Sequence, residues 1–312
     1  MNHTSLHSNM TTSTAPDSTA NTSAAIHPAF TDDVVALPLV RRLAATLDRD
    51  PATLREGDAL PRGWHVILFN APTRQSQLRQ DGAASLGVTL PDIGLPRLML
   101  GGRQTRFFGH IPIGAHVRRE TQQGGVQLKQ GRSGKFALVK VKHSIFVGDS
   151  TQAAVVETQD YILREASLAV PAASAGIPAL SSPPAVPAQH PTPNVTAKIS
   201  PTSSSILVPD EALLFRYSAI TDNPHRIHYD YGYATAAEGY PALVVNGSIP
   251  TMFLLELFRS GAGREPVALT SRNLAPMFCN RALRLNALQE ETSWRLWAED
   301  EDGNTTFDAR VE

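Results

Sequence analysis

Residues 221–230, with the sequence TDNPHRIHYD, bring histidine, asparagine and aspartate side chains together within ten positions. Imidazole titrates near neutral pH, so His228 could both take up and release a proton. If residues 224–227 form a tight turn, the amide of Asn223 and the imidazole of His228 face the same cavity. The amide would then orient a water molecule for the imidazole to deprotonate.

A second segment, VVNGS at residues 244–248, could supply the electrophilic half of such a site. The amides of Gly247 and Ser248 lie at the start of a predicted helix, where free N–H groups and the helix dipole favour a developing oxyanion. Water, base and oxyanion donor together suit the addition of water to a double bond conjugated with a thioester. Alone, the segment has a simpler explanation, in which Gly247 allows a turn and Ser248 caps the helix.

A metal site is an alternative for the histidine pair. His225 and His228 are three residues apart, but Pro224 disfavours a helix that would align them. No third ligand follows at a standard spacing, and Cys279 is the single cysteine. We therefore predict no metal, while a structural role for both histidines stays open.

The composition limits the function classes. The 312 residues are 42% hydrophobic and 18% charged, with a formal net charge of −1, which is typical of a globular protein and argues against nucleic acid or an anionic membrane as partner. No apolar run of about 18 residues predicts a transmembrane helix. The lone cysteine excludes an intrachain disulfide and fits a cytoplasmic location.

The chain divides at a segment rich in proline. Eight of the 23 prolines lie within residues 171–201, so we predict a linker over residues 168–204, with a long surface loop as the alternative. The linker separates a domain at 32–167 from one at 205–312. Residues 1–31, rich in Ser, Thr and Asn, are predicted to be a disordered tail.

The first domain is predicted to begin with a helix and to continue with strands. Apolar residues recur on one helical face at Leu39, Val40, Leu43, Ala44 and Leu47. KFALVKVKHSIFV, after a GRSG turn, predicts a half-buried antiparallel strand. Its inward residues would be Ala137, Val139, Val141, Ile145 and Val147, with Lys140 and Lys142 outward; QAAVVETQDYILRE predicts the next strand.

The second domain is predicted to contain one buried helix followed by strands. The helix would be capped by Ser248, hold Pro250 in its first turn and end at Gly261. It is apolar on almost every side, so it should be buried. The runs PVALTSRNLAPMF, TSWRLWAED and TTFDARVE predict strands, the last two joined by a DEDGN hairpin. The fold class is therefore α+β, with an antiparallel sheet wrapped around a central helix.

The segments YSAITDNPHRIHYDYGYA and EGYPALVVNGSIPTMFLLELF resemble the MaoC-like hot-dog-fold enoyl-CoA hydratases. The branch they resemble includes mesaconyl-C4-CoA (3-methylfumaryl-CoA) hydratase and the type 2 hydroxyacyl-thioester dehydratases. The resemblance implies a double hot-dog fold, with a curved antiparallel sheet around a helix in each half. The segment HRIHYD is its most specific part.

By this resemblance, the catalytic residues are His228 and Asn223, with adjacent Asp222 as the acidic partner if the loop is shifted. The amide of Gly247 would contact the thioester carbonyl. Asn246 departs from the family, which has histidine before that glycine, and the change would alter substrate choice or weaken activity.

The first half also resembles the family in GLPRLMLGGRQTRFFGHIPIGAHVRRET, KQGRSGKFALVKVKHSI and QDYILRE. It is expected to shape the acyl pocket without a catalytic pair of its own, because no comparable polar cluster is evident between residues 64 and 167. Arg103 and Arg106, in GGRQTRFF, fit a solvated strand face better than a contact with a CoA phosphate.

The leading hypothesis is a hydro-lyase that reversibly hydrates an α,β-unsaturated acyl-CoA. The candidate acyl groups are the branched C5 dicarboxylic mesaconyl and itaconyl groups, and the product would be citramalyl-CoA. The CoA thioester is the substrate, no cofactor is expected, and a homodimer is possible. A dicarboxylic acyl group needs a cation, for which Arg216, Arg226 and Arg272 are candidates, although Arg226 could instead brace its loop. Tyr229 and Asn246 are further substrate-binding candidates. The alternatives are a hot-dog thioesterase and a non-catalytic acyl-thioester binding protein.

Overall fold

The structure is a computed structural model that describes residues 28–70, 72–83, 93–95, 97–131, 134–165 and 200–312. The predicted linker lies largely outside these ranges. Within them, antiparallel strands form one ten-stranded sheet in the order β1-β3-β4-β5-β2-β7-β10-β9-β8-β6. The strands of the first half are β1 (Ala29–Val34), β2 (Arg97–Phe107), β3 (His116–Gly131), β4 (Gly134–Val147) and β5 (Val155–Arg164). Those of the second half are β6 (Ser203–Leu207), β7 (Ala268–Asn273), β8 (Leu283–Gln289), β9 (Trp294–Glu299) and β10 (Thr305–Val311). The helices are α1 (Leu37–Thr46), α2 (Glu211–Ile220) and α3 (Ile249–Ala262).

The two halves are joined edge to edge by β2 and β7, so the two predicted sheets form one surface. The pairing runs from Gly102 opposite Arg272 to Arg106 opposite Ala268. Gly102 permits this close approach, since a Cβ there would lie 2.5 Å from the Ser271 carbonyl oxygen. Pairing these strands also satisfies backbone groups that two separate sheets would leave open at their edges.

Two predicted elements of the first half have the expected buried faces. In β4, Ala137, Val139, Val141 and Ile145 are buried, whereas Lys140 and Lys142 are exposed and Val147 is half-buried. In α1, the buried residues Val40, Leu43 and Ala44 belong to the same hydrophobic core as the inward residues of β3 and of α3.

The buried helix α3 is the central helix of the second half and packs against β6, β8 and β9. Pro250 lies in its first turn, as predicted, and its apolar residues are buried or half-buried. The predicted end at Gly261 is wrong, because the helix runs to Ala262 and is terminated by Gly263 in the left-handed conformation (φ 64°). Gly261 instead makes room for the indole of Trp294, which a Cβ would approach to 2.9 Å.

The structure moves two predicted boundaries and adds strands that the sequence pattern did not indicate. β1 begins at Ala29, inside the predicted tail, and β6 begins at Ser203, inside the predicted linker. Both are short edge strands whose large apolar side chains Phe30 and Ile206 are exposed, so no pattern of buried residues marks them in the sequence. None of the helices in the described ranges has the length and apolar character that crossing a bilayer requires.

The core around α3 makes a prediction about stability. Phe258 is fully buried and meets Trp294 edge-on, with ring centroids 5.7 Å apart. Phe258→Ala is expected to lower the free energy of unfolding by about 3–5 kcal/mol, because it removes burial and leaves a cavity. Urea unfolding measures the change, and Phe215→Ala, at a side chain 67% exposed on α2, is the control. Equal effects of the two substitutions would contradict the core assignment.

Candidate active site

The loop that carries the predicted catalytic residues begins where α2 ends. The N–H of Asn223 donates to the carbonyl of Ser218 at 2.9 Å, and Asp222 adopts the left-handed conformation (φ 44°). This is a Schellman-type helix end, which aspartate tolerates better than most residues. Pro224 then prevents the helix from continuing. The sequence Asp-Asn-Pro therefore ends α2 and turns the chain into the site.

The side chain of Asn223 is oriented by the loop itself. Its Oδ1 accepts the N–H of His225 at 3.2 Å, which forms an Asx turn. Its Nδ2 has no hydrogen-bond partner in the part of the chain that the structure describes. The amide can therefore donate a hydrogen bond to a water molecule or a substrate.

His228 is buried in a 3-10 turn at Arg226–His228 and is held by the backbone of the segment that follows. Its Nδ1 lies 2.7 Å from the carbonyl oxygen of Val244. Because a carbonyl only accepts, Nδ1 carries the proton and Nε2 is left with a lone pair. Burial, with a smaller contribution from the charge of His225, lowers the pKa of His228 to about 4. The imidazole is thus a neutral base at physiological pH.

The start of α3 supplies one free backbone donor. The Oδ1 of Asn246 accepts the N–H of Ser248 at 3.2 Å, and its carbonyl accepts the N–H of Ile249 at 2.9 Å. Ser248 makes no capping hydrogen bond of its own, so its predicted capping role belongs to Asn246. The N–H of Gly247 has no partner within the described ranges and remains available for an oxyanion.

The structure holds the ring of His228 against the segment that carries this donor. Val244, which anchors the ring of His228, lies three positions before Gly247, and its N–H also bonds the carbonyl of Ile227 at 2.9 Å. Gly247 packs tightly against Asn273, whose amide a Cβ would approach to 3.2 Å. His228 and the helix start are therefore held by adjoining backbone.

The other candidate substrate-binding residues are placed elsewhere. Arg226 pairs with Asp230 at 2.8 Å and stacks on Tyr233 at 4.2 Å, which is the bracing role considered as its alternative. Tyr229 is 51% exposed. Arg216 on α2 and Arg272 on β7 are exposed, and neither lines the cavity described below.

The first half contacts the loop that carries the predicted catalytic residues. The N–H of Arg226 donates to the carbonyl of Asp81 at 2.8 Å, and Gly82, with φ 81°, packs against the carbonyl of Pro224. His225 Nε2 also lies 3.9 Å from a carboxylate oxygen of Asp81. The position of His228 thus depends on a turn about 145 residues earlier in the chain.

The expectation that residues 64–167 hold no comparable polar cluster is wrong. Glu157 is buried and accepts hydrogen bonds from Thr105 at 3.0 Å and Gln159 at 2.6 Å, and His65 Nε2 lies 3.1 Å from it. Arg103 lies 3.9 Å away, so the solvated-face interpretation holds for Arg106 but fails for Arg103. A cavity of about 180 Å³ is lined by His65, Arg103, Glu157 and Gln159 of this cluster together with Val66, Leu68, Phe69, Asn70, Arg119, His143, Ile145, Tyr161 and Asp222.

The cavity holds one firmly ionised carboxylate. Burial opposes the charge of Glu157, but Arg103 and the hydrogen bonds from His65 and Gln159 hold its pKa well below the ordinary value. Burial and the charge of Arg119 lower the pKa of His143 to about 4, so this ring is neutral. The spacing of these residues could have revealed the cluster. Arg103 and Thr105 are two apart on β2, and Glu157 and Gln159 are two apart on β5, so each pair lies on one face of its strand.

The two buried histidines predict how stability depends on pH. Burial lowers both pKa values from 6.5 to about 4, so the unfolded chain binds these protons first as pH falls. The free energy of unfolding is therefore highest above pH 6.5. It falls between pH 6.5 and pH 4 by up to about 3 kcal/mol for each histidine. Urea unfolding between pH 7 and 4 measures the slope. His143→Gln and His228→Gln should each flatten it, whereas His110→Gln, at an exposed site, should not; equal slopes in all variants would contradict this.

No group of three or more His, Cys, Asp or Glu residues in the described ranges could hold a metal ion. The available groups are instead a neutral imidazole, an amide donor, a free backbone N–H and a cationic cavity. This arrangement suits acid–base chemistry on a carbonyl-activated substrate. Fold and site together define a double hot-dog protein equipped for proton transfer.

Comparison with known proteins identifies the family. A family model for hydroxyacyl-thioester dehydratase type 2 matches residues 63–279. Mesaconyl-C(4)-CoA hydratase from Chloroflexus aurantiacus is 35% identical over 281 residues, which is 90% of this chain and 93% of the relative. The chain belongs to the hydroxyacyl-thioester dehydratase type 2 family and is a hydro-lyase of the hydratase/dehydratase type.

Solved structures show the same fold at low sequence identity. HtdX from Mycobacterium tuberculosis matches with a TM-score of 0.60 and 16% identity, covering 90% of this chain and 98% of that one. Another Mycobacterium tuberculosis protein, described as having a double hotdog fold, matches with a TM-score of 0.54 and 14% identity, covering 90% and 92%. The predicted double hot-dog fold is therefore confirmed.

Proposed function

We propose that this protein reversibly hydrates an α,β-unsaturated acyl-CoA, with His228 as the general base and acid. The observation that carries the proposal is the buried, neutral imidazole, whose Nδ1 is bonded to Val244 at 2.7 Å so that Nε2 is free to accept a proton. With a proton on Nδ1 and a lone pair on Nε2, the ring is suited to act as a base rather than to a purely structural role.

In the proposed reaction, Asn223 Nδ2 orients a water molecule that His228 Nε2 deprotonates. The hydroxide oxygen bonds to the β-carbon, and the C=C electron pair moves to the thioester carbonyl oxygen as an enolate. The free N–H of Gly247 stabilises that oxygen. The α-carbon then takes the proton from the imidazolium, which restores the neutral base. Asp222 is exposed to solvent and its backbone is in the left-handed conformation, so Asn223 is the proposed partner of His228.

For the acyl group, we propose a branched C5 dicarboxylic chain such as mesaconyl-C4-CoA, giving citramalyl-CoA; itaconyl-CoA is the second candidate. The support is the relative that is named a mesaconyl-C(4)-CoA hydratase, which is 35% identical across 90% of this chain. The cytoplasmic location and the homodimer remain predictions.

The test is a panel of enoyl-CoAs offered to the purified protein. Loss of the conjugated-enoyl absorbance, with the 3-hydroxyacyl-CoA identified by mass spectrometry, is the expected result. Release of free CoA thiol from saturated acyl-CoAs without enoyl hydration would indicate the thioesterase alternative. Tight binding without turnover would indicate a binding protein, and either outcome would overturn the proposed activity.

A further inference from the structure

The cavity of the first half contains two guanidinium groups, those of Arg103 and Arg119, that have only one buried carboxylate, Glu157, between them among the described residues. Arg119, on β3, stacks on Phe69 at 5.1 Å but forms no hydrogen bond or ion pair with any described residue, and its Nε is buried. Arg103, on β2, has one ionic contact, 3.9 Å from Glu157, and its Nε is also buried without a hydrogen bond.

The carboxylate of Glu157 cannot satisfy both arginines. Its Oε2 is already occupied by His65 and Thr105, and its Oε1 by Gln159. Asp33, whose charge reaches Arg119, accepts the N–H of Phe69 at 2.6 Å, and the cavity-lining Asp222 is exposed to solvent. A buried cation without a partner is costly, whereas a planar guanidinium matches a carboxylate in two parallel hydrogen bonds.

This cavity adjoins the catalytic loop and the start of α3. Asp222, which lines it, directly precedes Asn223. The buried hydroxyl of Tyr217 has no hydrogen bond of good geometry, yet it lies near enough to Arg103 and to Ser248 for both to act on its pKa, which burial raises to about 12. Tyr217 therefore lies near both Arg103 and the helix start that holds Gly247.

We infer that Arg119, assisted by Arg103, binds the free carboxylate of a dicarboxylic enoyl thioester, so that the first half selects a short charged acyl group. The inference rests on the proposed function, whose substrate class it specifies. A cavity of about 180 Å³ has room for a short acyl chain and is small for a long one.

The experiment compares one charged and one neutral substrate. Arg119→Gln is expected to lower kcat/KM for mesaconyl-C4-CoA by about 10- to 100-fold, the range for loss of hydrogen bonds to a charged group. The same variant should change kcat/KM for crotonyl-CoA, which has no second carboxylate, by less than about threefold. Arg118→Gln is the matched control, because Arg118 directly precedes Arg119 on β3 and is exposed on the opposite face. It should leave both substrates unchanged.

Two measurements guard against a folding defect. Arg119 has no hydrogen bond or ion pair with a described residue to lose, and glutamine removes a partly buried charge at the cost of the stacking on Phe69. Arg119→Gln should therefore unfold at the same or a higher temperature than the wild type. Arg119→Lys keeps the positive charge but lacks the paired N–H donors of the guanidinium, so it should lower kcat/KM for mesaconyl-C4-CoA by an intermediate amount. Equal losses on both substrates, or no loss on mesaconyl-C4-CoA, would overturn the inference.

A binding experiment separates this inference from the proposed reaction. The free diacid mesaconate should raise the melting temperature of the wild type but not that of Arg119→Gln, while crotonamide, which has no carboxylate, should have no effect on either. If the wild type hydrates no enoyl-CoA and mesaconate still stabilises it through Arg119, the reaction is wrong and the carboxylate site stands. If mesaconate stabilises neither protein, the carboxylate site is wrong.

Discussion

Replacement of His228 by glutamine is expected to lower kcat for enoyl-CoA hydration by about 10²- to 10⁴-fold, the usual contribution of a general acid–base residue. The reason is that Nε2 is the atom proposed to take the proton from water and return it to the α-carbon. Glutamine can still donate a hydrogen bond toward Val244, so the loop should keep its position. Stopped-flow or steady-state loss of enoyl absorbance measures the change.

The pH profile and two controls make this result specific. Because the pKa of His228 is about 4, activity should be constant near neutral pH and fall only as pH drops through that value. His110→Gln, at an exposed position, should retain full activity. Substrate affinity of His228→Gln should stay within a few-fold of the wild type. A variant that keeps more than about a tenth of wild-type kcat would show that His228 is not the base.

Gly82→Ala is expected to lower kcat/KM by about 10²-fold although Gly82 belongs to the first half of the chain. A Cβ at this position would lie 2.2 Å from the carbonyl oxygen of Pro224, which is backbone and cannot turn aside. The collision would push away the loop that carries Asn223 and His228, and a displacement of about 1 Å is enough for such a loss. The same steady-state assay measures it.

The control for this prediction is Gly57→Ala. Gly57 has φ 88° and Gly82 has φ 81°, so alanine suffers similar backbone strain at both positions. No atom lies within 4 Å of a Cβ at Gly57. Gly57→Ala should therefore lower stability slightly and leave the activity unchanged. If both variants lose activity equally, general strain rather than the contact with Pro224 would be the cause.

The sequence by itself determined the local structures around the site. Asp-Asn-Pro ends α2 because aspartate tolerates the left-handed conformation and proline forbids another helical turn. Alternation in residues 135–147 predicted which face of β4 is buried, and the apolar sequence after Gly247 predicted a buried helix. These features depend on neighbours in the chain, which is why residue type and spacing were sufficient.

Only the tertiary structure decided which polar groups are free. The side chain of Asn246 engages the amide of Ser248 and leaves that of Gly247 open, a choice that spacing could not reveal. The cavity of Arg103, Arg119 and Glu157 is assembled from β2, β3 and β5, of which β2 and β5 are paired in the sheet whereas β3 is separated from β5 by β4. Period-2 patterning shows which residues share a face of a strand, but burial, pairing and surplus charge depend on what the neighbouring strands place opposite them.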